Sequence, residues 1–440
     1  MNKEPSKEIT YKFLFWFSVP SIAATLVEPL VEIVDSAIIG PISPSHLSAL
    51  SANTAIFSVV VWIFNFLVHV GSAEVASSVA SKNEKSLKEG IFLGLSIPIV
   101  VGTFVSLLLF SLKDMLLLDL MKLDSERYSL ALQYYYPRLI SIPFALLLSS
   151  CSGILRGLGK VKFSFYLVLA MTIINTSLTI LFVKYLGMSL KGAGLGSLYA
   201  LLIVSLPASI YLVRKYLKDF ISVVKSVDYS YIYDYLSNSY NQILRTLAIS
   251  TTFFVSASFA NASGAQLGAA HQIILHFWLF ASYFLDGFSV TATAVGASLW
   301  FSGRTKEWFL MAKRLIIMSL GVGIFFTAIY LLFPNLIYLF TRSSAVYQTA
   351  LTTWILIALF QIPNSILYTF DGLFFSQKNF GYIRKKVWQG LLVFFVPVML
   401  LYGENNLFGI WAAICLFNAY RFAAFSKKLL REKRKVFQLT

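Results

Sequence analysis

Three carboxylates fall within eight residues of an otherwise apolar stretch: Glu28, Glu32 and Asp35 in EPLVEIVDSAIIG, positions 28–40. On a helix their i, i+4, i+7 spacing puts them on one face. A single such acid at the centre of a membrane helix costs about 2.5–3.5 kcal/mol, so three together must face protein or water and not lipid. Acids this close in poorly solvated surroundings do not all stay ionised; at least one holds a proton near neutral pH, and the titration belongs to the group. Such a cluster can trade a proton, a sodium ion or an organic cation for one another, which is antiport chemistry. Asp35 and Glu28 are the ion-coupling candidates, while Glu32 reads equally well as a structural hydrogen-bonding acid near a helix end. Pro20 and Pro29 in the same helix each remove a backbone hydrogen bond and can bend it.

Other acids inside apolar sequence are few. Asp286 in YFLDGFSV and Asp371 in YTFDGLFF, each followed by glycine, are candidates for a second polar site, or for acids satisfied by a helix backbone. Glu74 sits near a helix end and reads as solvated. Asn175 and Thr179 are one turn apart, and Ser197 lies in the small-residue run GAGLGS; these could complete a polar pocket with Asp35, although small residues also serve close helix packing. Enzyme chemistry is not indicated. The four histidines are scattered without metal-ligand spacing, no G-x-x-x-x-G-K-[ST] loop provides for ATP, and Cys151 and Cys415 lie in apolar runs as inert core residues. With no metal and no cofactor expected, the energy source is an ion gradient of H+ or Na+.

These side chains need membrane helices to hold them. Of the 440 residues 58% are hydrophobic and only 13% charged, about half the charge of a soluble domain. Continuous apolar runs of about 20 residues favour helices over a barrel. They place spans at 13–39, 50–78, 90–112, 129–155, 163–186, 191–213, 240–262, 268–299, 312–338, 346–375, 385–402 and 406–425. The expected fold is thus all-α and polytopic, with twelve transmembrane helices. The segments ISPSHLSA (42–49) and ASGAQLGA (262–269) align at an offset of 220, and IPFALLLSSCSGILRG (142–157) matches IPNSILYTFDGLFFSQ at nearly the same offset. A tandem duplication follows, with a first lobe at 1–213, an amphipathic cytoplasmic linker at 214–239 and a second lobe at 240–440. Six helices per half give parallel repeats, the architecture of two lobes around a central cleft.

The net charge of +16 is distributed as in a membrane protein, not as in a nucleic-acid binder. With the N-terminus inside, 29 of the 36 Lys and Arg fall in cytoplasmic segments, so both termini are expected in the cytoplasm of a cell inner (plasma) membrane. The basic run KKLLREKRK reads as an anchor at anionic lipid. In this count the positive charge lies outside the spans and the buried charges are mostly acids. That disfavours a flippase of lipid-linked oligosaccharides, which would need basic residues to hold a diphosphate. A membrane-embedded lipid-handling enzyme would need a His, Asp or Ser cluster near one membrane face, and none is present.

EPLVEIVDSAIIG with the following HLSALSAN resembles the start of MATE (multidrug and toxic compound extrusion) transporters. LGAAHQIILHFWLFASYFLDGFSVTATAVGASLW, DGLFFSQKN, RGLGKVKFSF and INTSLTILF resemble further regions of the same family across both halves. The Asp-Gly pairs at 286 and 371 resemble the DinF-type branch. The resemblance implies two pseudo-symmetric six-helix lobes forming a V-shaped cleft. It also implies export of small amphipathic, often cationic, compounds by a monomer, coupled to protons or sodium. Asp35 then matches the family's first-helix acid, Pro20 its proline, Asn175 the helix-5 asparagine, Ser197 a helix-6 hydroxyl, and Asp286 and Asp371 the second-lobe acids. Thr179 departs from the pattern, standing where many members carry an acid; with one carboxylate fewer, the reading leans to protons over sodium, which prefers several oxygen ligands.

Overall fold

The computed structural model describes residues 9–39, 42–64, 66–121, 123–217 and 228–438, which are almost entirely helical and contain no strand. In the first half run α1 (Tyr11–Ile39), α2 (Pro44–Phe64), α3 (Phe66–Ala80), α4 (Glu84–Ser111), α5 (Ser125–Gly157), α6 (Val161–Ile180) and α7 (Ser189–Tyr216). The second half holds α8 (Tyr229–Ala262), α9 (Ala265–Phe301), α10 (Thr305–Leu332), α11 (Ser344–Ser376), α12 (Phe380–Gly390), α13 (Val396–Tyr402) and α14 (Leu407–Gln438). Among the described residues ten helices are long and apolar enough to cross a membrane, with α12 and α13 forming one of them through a π-helical turn at Leu391–Phe395. α1 accounts for the first expected span. The second, 50–78, is helical on both sides of residue 65, as α2 and α3, and residue 65 itself lies outside the described ones. Twelve spans in all are consistent with this chain.

Polar residues at the helix starts supply the hydrogen bonds that a helix cannot make for itself. Asn83 Oδ1 accepts from the Ser86 amide at 3.0 Å to start α4, and Asp124 Oδ1 accepts from the Arg127 amide at 2.9 Å to start α5. The exposed side chains of these helices are large and apolar, among them Val100, Phe104 and Leu107 on α4, as a lipid-facing surface requires.

The chain divides by internal contacts into two compact units, one of Ala23–Ser239 and one of Met1–Ile22 with Tyr240–Thr440. The duplication read from sequence is visible in the helix bounds. α4 and α10 are both 28 residues long and start 221 positions apart; α5 and α11 are both 33 residues long and start 219 apart. Each unit also contains the same kind of crossing. A Cβ on Gly153 of α5 would lie 2.6 Å from the Val68 carbonyl oxygen of α3, and one on Gly372 of α11 would lie 2.2 Å from that of Ser289 on α9. Only glycine permits backbones this close.

Two expectations are corrected in the first unit. The second part of the expected linker, from Tyr229, is not a separate strap but the opening turns of α8, continuous with the next span. Residues 218–227 lie outside the described ones. Glu74, read as solvated, is buried at 3% exposure and holds that helix in place: it accepts hydrogen bonds from the Tyr231 hydroxyl and the Asn238 amide, both at 3.1 Å. Glu89, also buried, accepts the Asp228 backbone N–H at 3.0 Å. A buried carboxylate must be compensated by donors, and here the linker's far end provides them.

Candidate functional site

The polar residues form two sites, one in each unit. In the first unit Asn175 on α6 donates from Nδ2 to Ser197 Oγ on α7 at 2.8 Å. Thr179, one turn further along α6, packs against the backbone of α7: a Cβ on Gly196 would lie 2.8 Å from its hydroxyl oxygen. Within GAGLGS, Gly196 gives the close approach and Ser197 the polar contact to Asn175. Asn175 and Thr179 are fully buried and Ser197 nearly so, while Asn175 Oδ1 and Thr179 Oγ1 have no hydrogen-bond partner among the described residues. A π-helical turn, Leu181–Tyr185, follows directly; such turns often accompany functional sites because they re-aim the side chains before them.

Asp35 is buried in the same unit at 3% exposure. Pro20 lies in the part of α1 that belongs to the second unit. The side chains of Glu28, Pro29 and Glu32 lie outside the described ones.

In the second unit Asp371 on α11 is buried between two arginines. Its Oδ2 accepts from Arg245 Nη2 on α8 at 2.5 Å and from Arg421 Nη2 on α14 at 2.8 Å. Each guanidinium also rides on an aromatic ring, Arg245 over Phe375 at 5.1 Å and Arg421 over Phe417 at 5.3 Å, contacts that favour a weakly hydrated planar cation. Arg421 Nη1 donates to Asn418 Oδ1 at 2.9 Å. The three charges border a cavity of about 50 Å³, walled also by Phe253, Trp278, Asn364 and Tyr368. Asp286 on α9 is half-buried; it acts electrostatically on Tyr368 together with Asp371 and does not line the cavity.

The glycines after the two acids have a packing cause. Gly372 meets Ser289, and Gly287 meets Ile22 of α1, whose Cγ1 would lie 2.3 Å from an added Cβ.

The arginines are the residues that sequence reasoning missed. Arg245 and Arg421 stand in the charge count as cytoplasmic, but both are inside spans and paired with an acid at the heart of the unit. The signal was available, since 240–262 and 406–425 contain them as the only basic residues of those runs. An arginine inside an apolar run requires a partner. The statement that positive charge lies outside the spans is therefore corrected, and with it the argument drawn from it against a flippase of lipid-linked oligosaccharides.

The chain matches the MatE family over residues 20–181 and 242–383, a stretch in each half. It is 24% identical to Protein DETOXIFICATION 44, chloroplastic, of Arabidopsis thaliana, covering 92% of this chain and 80% of the relative. DNA damage-inducible protein F of Escherichia coli is 24% identical over 93% of this chain and 90% of its own. Among solved structures, a MATE transporter in a bent conformation superposes with a TM-score of 0.87 at 18% identity, covering 99% of this chain and all of that one.

Proposed function

The chain belongs to the MatE family of multi-pass membrane transporters, the detoxification and multidrug efflux class, and from that premise we propose that it is a secondary antiporter exporting small amphipathic organic compounds in exchange for protons. The observation that carries the reading is the contrast between its two buried aspartates. Asp371 already holds two cations of the protein's own, so a coupling ion would have to displace a guanidinium. Coupling then falls to Asp35, buried in the unit that also holds Asn175, Ser197 and Thr179. With Thr179 in place of a carboxylate, the neighbourhood suits a proton, which needs one basic oxygen, better than sodium, which needs several oxygen ligands. Glu28 stands one turn before Glu32 on the same helix as a further coupling acid.

Alternating access between two sides of the membrane supplies the transport step, and the excess of Lys and Arg in the terminal segments favours a cytoplasmic N- and C-terminus in a cell inner membrane. The buried arginine pair favours a second reading, a flippase for lipid diphosphates.

Proteoliposomes with a pH gradient or a sodium gradient imposed separately test the proposal, with ethidium and 2-naphthoate as a cationic and an anionic probe. Gradient-driven movement of either probe under ΔpH, lost in Asp35→Asn at equal incorporation, supports it. Transport under sodium alone refutes proton coupling, and movement that Asp35→Asn leaves untouched removes Asp35 from the coupling site.

A further inference from the structure

The hydrogen-bond inventory of the second unit's cavity is unbalanced. Asp371 Oδ2 serves both arginines, and three buried donors on the lining are left without an acceptor among the described residues: Arg245 Nε, Arg421 Nε and Asn364 Nδ2. Among the fully buried lining atoms of the described residues, the unused acceptor set against them is Asp371 Oδ1. The charge is unbalanced in the same direction, with two guanidiniums and one carboxylate on the lining. Arg421 and Asn364 are more than nine-tenths buried, and unsatisfied buried donors are costly.

We propose that this cavity is an anion-binding subsite, and that it takes the carboxylate of a small amphipathic organic acid as transported substrate. A carboxylate brings two acceptor oxygens and one negative charge, which matches the surplus, and guanidinium groups bind it in fork geometry. The volume of about 50 Å³ admits a group of a few water-sized atoms. Phe253, Trp278 and Phe417 make much of the remaining wall apolar, which leaves the two guanidiniums as the lining's only positive charges. An organic cation placed here would face two guanidiniums, and one acid shared between them does not offset that repulsion. Asp286, the other acid of the expected second-lobe site, lies off the lining. The inference rests on the transporter reading for its consequence, the substrate class, but the binding event itself requires no coupling ion.

The test is therefore an equilibrium one, without gradients. The full-length protein in nanodiscs of zwitterionic lipid is titrated by equilibrium dialysis with 2-naphthoate, with neutral 2-naphthamide, with 2-naphthylmethylammonium and with geranyl diphosphate. Saturable binding of 2-naphthoate is expected, at least about tenfold weaker for the amide, as for the loss of a charge-assisted hydrogen bond. Arg245→Gln and Arg421→Gln each weaken it by about tenfold or more. Asp371→Asn acts in the opposite direction and tightens it, because the arginines lose their internal competitor; a folding defect cannot imitate that gain. Preference for the ammonium compound overturns the proposal, as do a naphthoate affinity indifferent to all three variants and the absence of saturable binding. Arginine-dependent binding of geranyl diphosphate in place of naphthoate overturns the carboxylate assignment. Naphthoate binding that survives while the pH-gradient experiment fails removes proton coupling and leaves the subsite standing, and the converse pattern removes the subsite alone.

Discussion

Replacing Gly372 by alanine tests the close crossing of α9 and α11 in the second unit. The new Cβ would lie 2.2 Å from the Ser289 carbonyl oxygen and 2.7 Å from its C and Cα atoms. All three are backbone, so no rotamer change can make room. A carbon–oxygen contact of ordinary length needs about 1 Å more, which α9 and α11 can provide only by separating along their whole seam. Overpacking of this kind costs about 1–3 kcal/mol, and the rigid neighbour places it at the upper end. The alanine returns about 1 kcal/mol through its better helix propensity, leaving a net loss of about 2 kcal/mol. Gly321→Ala on α10 is the control, because nothing lies within 4 Å of its added Cβ; it keeps the propensity gain alone. The two variants should differ by about 3 kcal/mol, read as separate shifts of opposite sign in the thermal unfolding midpoint of detergent-solubilised protein. Gly153→Ala, facing the Val68 oxygen at 2.6 Å, should fall between them. If Gly372→Ala unfolds at or above the midpoint of Gly321→Ala, the close crossing does not govern how these helices pack and the argument fails.

The arginine clamp predicts an order of stabilities. Asp371→Asn strands the buried Arg421 and the partly buried Arg245 and should cost about 3–5 kcal/mol, whereas Arg421→Gln leaves a one-to-one pair and should cost less; thermal midpoints in the reverse order would contradict the charge surplus. Adding 2-naphthoate should raise the Asp371→Asn midpoint more than the wild-type one, by mass action on the folded state. In the first unit, Tyr231→Phe removes a hydrogen bond to a buried carboxylate and should cost about 1.5–3 kcal/mol. A double-mutant cycle with Glu74→Gln should show coupling, and strict additivity would mean that Glu74 does not hold the start of α8.

Much of this was legible in the sequence because membrane helices advertise themselves by length and continuity of apolar residues. The spans around α4, α9 and α11 follow directly from it, and so does the duplication, since both copies kept the same helix lengths. The boundary at α8 was not legible. YSYIYDYLSNS is polar enough to resemble a linker, and its helicity depends on Glu74 and Glu89, 139 or more residues earlier in the chain. The paired use of Arg245 and Arg421 was hidden for a different reason: charges near the ends of a run are conventionally given to the nearest loop. Whether such a charge stays in the span depends on a partner, and Asp371 lies on another helix. Close crossings leave only a trace. Gly153 and Gly372 follow Ser152 and Asp371 in the repeat alignment, but nothing in one dimension says that each glycine touches a backbone oxygen.

That repeated crossing has a consequence for the history of the chain. A protein made by copying itself begins with two equal sites, and its later changes can be read by comparing the copies with each other. At the crossing the glycine persists in both, Gly153 and Gly372, because geometry leaves it no substitute. The residue in front of it was free to diverge, and is Ser152 in one copy and Asp371 in the other. At an offset of 219–221, the positions answering to Asp35 are Phe254, Val255 and Ser256, and those answering to Arg421 are Ala200, Leu201 and Leu202. Neither copy carries the other's charge. The halves have become unlike partners within one polypeptide, as different as the subunits of a heterodimer. A chain assembled from two first halves would keep the scaffold and lose the arginine clamp; one assembled from two second halves would keep the clamp twice and have no Asp35.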